Sequence, residues 1–321
     1  MALMWQKAIH ALDGGRIMAE YGPMRLVISA WVGKVSERNL CVNAAREAFA
    51  YFEQVAALKE ELSRPLSRNP VRVRNPIAQA MVDSVHEVGD KDLTPLAAVA
   101  GALADAVADF LFDRGMTRVV VNNGGDIAVR IIGDEQVHVG IGPAGSTARV
   151  SKSIVLDSSF PSWGIATSGL GGRSFTRGVA SSVTILAKTA SLADAAATAV
   201  ANASFVEDKS VIQQPAESID PNTDIVGIPV TVKVGPLSEQ NKDIAVARAL
   251  EKARDLAERR VILGAMVAVQ DRIAADAFAQ ARLIQGWSGK ESIEKHSHDH
   301  KEGGRNNGSE KVCHSAGRNS L

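Results

Sequence analysis

The pair Asp194 and Thr198, four residues apart in "SLADAAATAVAN", is the most explicit chemical pattern in the chain. On a helix this spacing projects one carboxylate and one hydroxyl from the same face, one turn apart. Such a pair suits Mg²⁺, a hard cation that keeps waters or substrate phosphate oxygens to complete its octahedron, so two side chains and a backbone carbonyl suffice. A structural role competes with it. Ser191 and Asp194 stand three apart in a capping-box pattern, in which the acid satisfies the start of its own helix. The surrounding alanines let a helix lie close to a sheet.

A second pattern is the glycine pair in "RVVVNNGGDIAVRI", residues 118–131. Asn-Gly between two apolar runs is the strongest short-range signal for a β-hairpin and supplies the positive φ that a type I′ turn needs. Adjacent glycines also leave backbone N–H groups uncovered, where a pyrophosphate can approach without meeting a side chain. Gly124 and Gly125 are therefore candidate ligand contacts as well as turn residues. A third stretch, "WGIATSGLGGRSFTRG", sets the hydroxyls of Thr167 and Ser168 and the flexible Gly169 at the end of a strand. Ser/Thr-rich turns are common, and this one gains meaning only beside the other two.

Other chemistries lack their residues. The part of the chain expected to fold offers His10, His86 and His138 but no GxSxG elbow, which disfavours a serine hydrolase. No GxGxxG turn or GxxxxGK[ST] loop is expected, so the standard dinucleotide and triphosphate motifs are out.

These groups must be positioned by the elements around them. "RIMAEYGPMRLVISAWVG" predicts two strands around the Gly22-Pro23 turn, and "NLCVNAAREAFAYFEQVAALKEELS" predicts a long helix from its apolar spacing. A polar connector from Pro65 to Pro76 leads to a helix in "PIAQAMVDSVHEVG". A second long helix then runs over about 94–114, opened by Thr94 and Pro95 and closed by Gly115. Beyond the glycine turn, "EQVHVGIG", "KSIVLD", "WGIATSG" and "SSVTILAK" are short strands, and 190–203 is an alanine-rich helix. "IPVTVKVG", "NKDIAVARALEKARDLAERR" and "VILGAMVAVQD" read as strand, helix, strand. Strands paired in runs with helices between the runs predict an α+β fold. It should have two related, intimately packed halves, about 1–145 and 146–288, with antiparallel sheets packed against helices.

Composition narrows the partners. A chain of 321 residues, 45% of them hydrophobic, can bury one large core or two modest ones. Lys plus Arg equals Asp plus Glu at 36 each, so the footprint of a nucleic-acid or anionic-membrane binder is missing and neither partner is expected. The two cysteines, Cys41 and Cys313, form neither a disulfide framework nor a CxxC site. The start "MALMWQKAIHALDGG" has no signal-peptide core, and no run elsewhere approaches the ~20 apolar residues of a membrane span. A soluble cytoplasmic protein is expected. Residues 289–321 are polar and glycine-rich, which predicts a disordered tail. Its His296, His298, His300 and His314 could bind Zn²⁺ or Ni²⁺ weakly with Asp299 and Cys313, incidental to the main chemistry.

Taken in order, "DLTPLAAVAGALADAVADFLFDRGMTRVVVNNGGDIAV", "ATSG" and "SSVTILAKTASLADAAATAVAN" resemble the ApbE-like flavin transferases, over about residues 92–203. Those proteins carry a GGD[IV] turn after a strand, a TSG turn, and a VTV strand leading into an ADA-x-AT helix. The PL-AAVAGA-AD segment and the ADAAATA-AN helix are more similar still to that family's uncharacterised cytoplasmic sister group, the UPF0280-type proteins. There the likeness extends over most of the chain before the tail. The resemblance implies a T-fold-like architecture, an FAD site lined by Asn123, Gly124, Gly125 and Asp126, a flavin border at Thr167 to Gly169, and Mg²⁺ held by Asp194 and Thr198 against the pyrophosphate. The sequence also departs from the transferases. Ala100-Gly101 stands where they have Lys-Gly, and "GGRSFTRG" replaces their His-containing Asp-Pro-x-Thr-Gly segment, with Arg173 and Arg177 as candidate replacement cations.

Three functions follow. One is an Mg²⁺-dependent enzyme that processes FAD, with metal and backbone amides neutralising charge on the pyrophosphate. Another is a cytoplasmic metabolic enzyme or accessory subunit that keeps a flavin or nucleotide site without transfer. It would work with a ferredoxin-type redox partner, as in the sulfur and homocysteine metabolism that the sister group suggests. The third is a non-catalytic scaffold whose motifs are turns and caps. The ligand expected is a small molecule or nucleotide, and a homo-oligomer is compatible with all three.

Overall fold

The Gly22-Pro23 turn joins two strands, and the later elements follow the apolar spacing of the chain. In chain order they are β1 (Ala8–Ala11), β2 (Ile17–Tyr21), β3 (Met24–Val32), β4 (Val35–Ser36), α1 (Arg38–Ala56), α2 (Lys59–Leu62), α3 (Pro76–Val88) and α4 (Val99–Phe112). There follow β5 (Arg118–Asn123), β6 (Asp126–Ile131), β7 (Val137–Ile141), β8 (Lys152–Leu156), β9 (Ser162–Ser168), β10 (Ser182–Ala187), α5 (Ala190–Ala203) and β11 (Val211–Pro215). The last are β12 (Pro229–Val234), α6 (Glu239–Glu258), β13 (Gly264–Val269), β14 (Arg272–Ala275), α7 (Ala277–Arg282) and β15 (Leu283–Gln285). The computed structural model describes residues 6–66, 72–141, 152–172 and 174–285, all within one compact unit, Met1–Gly289.

One sheet runs β1-β2-β3-β5-β6-β9-β10-β13-β14, with β4 added on β3, and its neighbours are antiparallel throughout. The topology repeats within it. The hairpin β2-β3 is followed by helices and then by the hairpin β5-β6 at its side; β9-β10, helices and β13-β14 do the same. The halves join where β6 pairs with β9, Ile127 opposite Ile165. This is the α+β fold of two related antiparallel halves that the sequence predicts. The predicted boundary near residue 145, the tail 289–321 with its histidines, and Arg173 lie outside the described residues.

Helices cover one face of the sheet. In α6 the buried positions are Ala245, Ala249, Ala253 and Leu256, the stripe expected of a helix with one side on a core. Asn75 caps α3 by accepting from Ile77 and Ala78 N–H, Pro76 sits at the first helical position, and Gly89 at φ 69° ends the helix. α3 lies over α4 and α5 rather than on the strands. Pro95–Phe112 is long and apolar enough to cross a bilayer, but packs here between the sheet and α1, α3 and α5. On the opposite face, the small sheet β15-β8-β7 and α7 bury Val129, Ile131, Trp163, Ile165 and Leu186. The middle of the main sheet is therefore covered on both sides, which explains why all six residues of β10 are buried instead of alternating.

α4 and α5 cross at backbone distance. A Cβ on Gly101 would lie 2.2 Å from the Ala190 carbonyl oxygen, and one on Gly164 in β9 would lie 1.9 Å from that of Thr189. Each helix caps the other. Asp105 in α4 accepts from Ala190 N–H (3.0 Å) and Ser191 N–H (2.8 Å) at the start of α5, and Asp194 in α5 accepts from Gly101 N–H (3.0 Å) in the first turn of α4. The two acids occupy equivalent places in a repeated Leu-Ala-Asp-Ala, at 103–106 and 192–195. Asp105 also meets the buried Arg130 guanidinium at 3.1 Å, and Asp109 meets it at 2.7 Å. Burial pushes the Asp105 carboxyl up, while Arg130 and the two α5 amides pull it down.

Several elements differ from the sequence expectation. The first long helix stops at Ala56 because the chain tightens there, Leu58 N–H donating to Val55 O, and α2 follows as a separate turn. The 94–114 helix opens with a 3₁₀ turn over Pro95–Ala98, and Thr94 donates its hydroxyl to Asp224 instead of capping. "IPVTVKVG" forms β12, but it pairs with β11 apart from the main sheet rather than completing a strand–helix–strand unit with β13. Gly140, Gly142 and Gly145 do carry GxGxxG spacing. Gly140 belongs to β7 of an antiparallel sheet, so the βαβ context of a dinucleotide fingerprint is missing.

Two stability predictions follow from the crossing. Gly101→Val drives a branched side chain into the Ala190 backbone and should cost about 1–3 kcal/mol or more in urea denaturation; a change within the error of the wild-type midpoint would mean the helices can move apart. Arg130→Met leaves Asp105 buried without its cation and should cost about 3–5 kcal/mol by the same measurement.

Candidate functional site

A cavity of about 720 Å³ opens beside the β5-β6 turn, bounded by the N-terminal turns of α4, the end of β9 and one face of α5. Asn123, Gly124, Gly125, Asp126, Thr167, Ser168, Gly169, Asp194 and Thr198 all line it. Three sequence patterns separated by dozens of residues thus meet in one place.

The turn is a two-residue hairpin. Asn123 pairs with Asp126, and Gly124 and Gly125 have φ of 68° and 119°, which only glycine adopts without strain. The Gly125 N–H is not free for a phosphate, because Asn122 Oδ1 accepts it at 2.8 Å. What the glycines offer is open approach: a Cβ on Gly125 would meet nothing within 4 Å. Asn123, 2% exposed, ends the buried row of β5. Its Oδ1 accepts from Arg25 N–H (3.3 Å) and its Nδ2 donates to Ala100 O (3.1 Å), so one amide ties the turn to β3 and to the start of α4.

The hydroxyls of Thr167 and Thr184 lie 2.9 Å apart, as cross-strand partners in the β9-β10 hairpin. Ser168 is buried, and its hydroxyl has no hydrogen-bond partner among the described residues. Gly169 allows the chain to pass close to the Ala180 and Ser181 carbonyls, whose oxygens would each stand 2.9 Å from a Cβ at that position.

Asp194 does not form a capping box with Ser191. The cap of α5 is Thr189, which accepts from Leu192 N–H, and the Ser191 hydroxyl turns to Thr189 Oγ1 at 3.1 Å. The Asp194 carboxylate reaches α4 instead, and Thr198 donates to the Asp194 carbonyl at 3.3 Å, which leaves its hydroxyl oxygen able to accept or ligate. Asp194 and Thr198 therefore project toward the cavity side by side, as their spacing predicts.

Arg177 is not a cavity cation. Its guanidinium is held by Asp92 at 2.7 Å and Asp90 at 4.0 Å, and the cavity lining excludes it. The residues missed by sequence reasoning are Arg25, Thr184 and the apolar wall of Phe52, Leu96, Leu103 and Val139. Thr184 was recoverable from the register of the β9-β10 hairpin. Arg25 was recoverable only by knowing that Leu26 pairs with Asn123. His10, His86 and His138 are exposed and are not among the lining residues.

A family model described as AbpE bacteria matches residues 8–278. The chain belongs to the ApbE-like superfamily. Within it, the chain sits with the UPF0280 sister group. It is 41% identical over 131 residues to a UPF0280 protein of Methanoregula boonei, covering 40% of this chain and 52% of that one. To a UPF0280 protein of Methanospirillum hungatei it is 37% identical over 127 residues, 39% of this chain and 51% of that one. The chain spans about half the length of both relatives, as these shares show. Among solved structures it is similar to the apo form of the Pseudomonas stutzeri flavinyl transferase ApbE, with TM-score 0.46, 13% identity, and coverage of 88% of this chain and 98% of that one.

For this ApbE-like protein the β5-β6 turn is at once a hairpin and a cavity wall, and one substitution separates the roles. Gly125→Val should cost about 1–3 kcal/mol from the positive φ and place a branched side chain in the open space beside the turn. If ligand affinity, measured well below the melting temperature, is unchanged in the variant, the turn is a hairpin alone.

Proposed function

We propose that the cavity binds a flavin nucleotide, with Asp194 and Thr198 holding Mg²⁺ against its pyrophosphate. The observation that carries this reading is the convergence of the glycine turn, the Thr167–Gly169 turn and the Asp194–Thr198 pair on one cavity of about 720 Å³, a size typical of small-molecule sites. The internal repeat supports the cation. In α4 the positions equivalent to Asp194 and Thr198 are Asp105 and Asp109, and that pair holds the Arg130 guanidinium. Two carboxylate-bearing helix turns of common design thus face a positive charge in one half and a cavity in the other.

The donor set fits Mg²⁺ rather than a metal caged by protein. Among the described residues no three His, Cys, Asp or Glu side chains gather around one point, so a cation at Asp194 would complete its shell with ligand oxygens and water. Bound there, Mg²⁺ supplies positive charge to the pyrophosphate. The protein's own part is to fix Asp194 through the Gly101 amide and to keep the ligand between the apolar wall and the turn.

One observation favours binding without FMN transfer. Ala100 occupies the cavity wall, and among the described lining residues there is no lysine or histidine. That suits a metabolic enzyme or accessory subunit that keeps a nucleotide site without transfer.

Calorimetric titration with FAD, with and without Mg²⁺, tests the reading. Wild type should bind more tightly with Mg²⁺. Asp194→Asn keeps an oxygen for the Gly101 amide but loses the charge, and Thr198→Val keeps the shape but loses the oxygen; each should abolish the Mg²⁺ dependence while unfolding within about 1 kcal/mol of wild type. Equal Mg²⁺ dependence in all three proteins would leave Asp194 as a cap of α4 and nothing more. Release of FMN and AMP from FAD, followed by chromatography, separates processing from binding.

A further inference from the structure

The described side chains that line the cavity include three with charge: Asp126, Asp194 and Arg25. Arg25 is the one cation among the described lining residues, and a ligand that carries phosphate is held best where positive charge lies beside it. Arg25 is the second residue of β3, directly after the Gly22-Pro23 turn. Its backbone N–H donates to Asn123 Oδ1, and its neighbour Leu26 pairs with Asn123, which sets Arg25 against the mouth of the glycine turn.

We infer that Arg25 is the phosphate-recognising residue of this cavity and selects ligands that carry a phosphate or pyrophosphate beside the β5-β6 turn. The inference rests on the cavity being a nucleotide site, as proposed above, but not on the ligand being a flavin. In the structure the guanidinium is half engaged. Nε lies 3.0 Å from Glu20 Oε1, and Nη2 makes only a 3.7 Å contact with Met18 Sδ. The side chain is 63% exposed, and a single-point pair at the surface is weak. A phosphate offers two parallel charged hydrogen bonds in the fork geometry that guanidinium prefers, so it can draw Arg25 from Glu20. The residue that a bound phosphate would need therefore sits at the cavity, held loosely and on a strand end that the turn itself fixes.

The test is binding of four probes in the presence of Mg²⁺, namely FAD, ADP, inorganic pyrophosphate and riboflavin, by wild type, Arg25→Ala and Arg25→Lys. Arg25→Ala should weaken FAD, ADP and pyrophosphate by about tenfold or more and leave riboflavin unchanged. Arg25→Lys, which keeps the charge but not the fork, should fall between the two. Equal affinity of wild type and Arg25→Ala for ADP would overturn the inference, as would a loss for riboflavin as large as that for FAD, since that would mark a change of shape rather than a lost charge. If ADP and pyrophosphate bind through Arg25 while neither flavin binds, the flavin reading falls and Arg25 stands. If wild type binds none of the four, both fall.

Discussion

The crossing of α4 and α5 leaves no room for a Cβ at Gly101, and this contact fixes both helix starts against each other. A helix N-terminus has several N–H groups without intrahelical partners, and here they are satisfied reciprocally: Asp105 serves α5 and Asp194 serves α4. Neither helix can slide along the other without breaking charged hydrogen bonds and driving backbone into backbone. The alanines of α5 extend the same logic to the sheet, because small side chains let it lie against β9, where Gly164 meets Thr189. Close approach and mutual capping are one constraint, and the rest of the fold is arranged around it.

That constraint also sets the cavity. α4 begins at the cavity wall with Val99 and Ala100, and α5 presents Asp194 and Thr198 there. The sheet supplies the floor. Its central strands are covered on the far side by β7, β8 and β15, so the floor is held from both faces by packed side chains. Asn123 then joins the layers, since one buried amide is hydrogen-bonded to β3 and to α4 while its own residue starts the turn. Substituting it would disturb three elements together, and the glycine turn would lose its fixed place relative to α4.

Much of this was legible in the sequence because it is written in local patterns. The hairpin at Gly124 and Gly125, the helix over 190–203 and the antiparallel halves follow from turn residues and apolar period, and Asp194 and Thr198 share a face because a helix turns once in about 3.6 residues. What could not be read locally was pairing between distant segments. Arg25 and Asn123 are 98 residues apart, and Asp194 is 93 from the Gly101 amide it caps. The same limit misassigned β12, since "IPVTVKVG" gives a strand by composition but does not say that the polar "VIQQP" of β11 will pair with it. It also hid the true role of the capping pattern: a carboxylate near the start of a helix satisfies whichever N–H groups lie nearest, and here those belong to another helix.

The repeated Leu-Ala-Asp-Ala sets one arrangement in two different surroundings. In the first half the acids at 105 and 109 meet Arg130 from β6, whose burial demands a counter-charge, through bonds of 2.7 and 3.1 Å. That network is closed: cation, two carboxylates and two helix amides are all within the protein. In the second half the corresponding acid at 194 keeps the helix-capping bond, but the residue one turn on is threonine and both face a cavity. The capping function needs only one carboxylate oxygen, so it could be retained in both halves while the partner one turn away diverged. Threonine at 198 in place of a second carboxylate lowers the negative charge of this helix face by one. The capping bond of Asp194 and its place on the cavity wall are thus compatible, because both follow from the position of one carboxylate between α4 and the cavity.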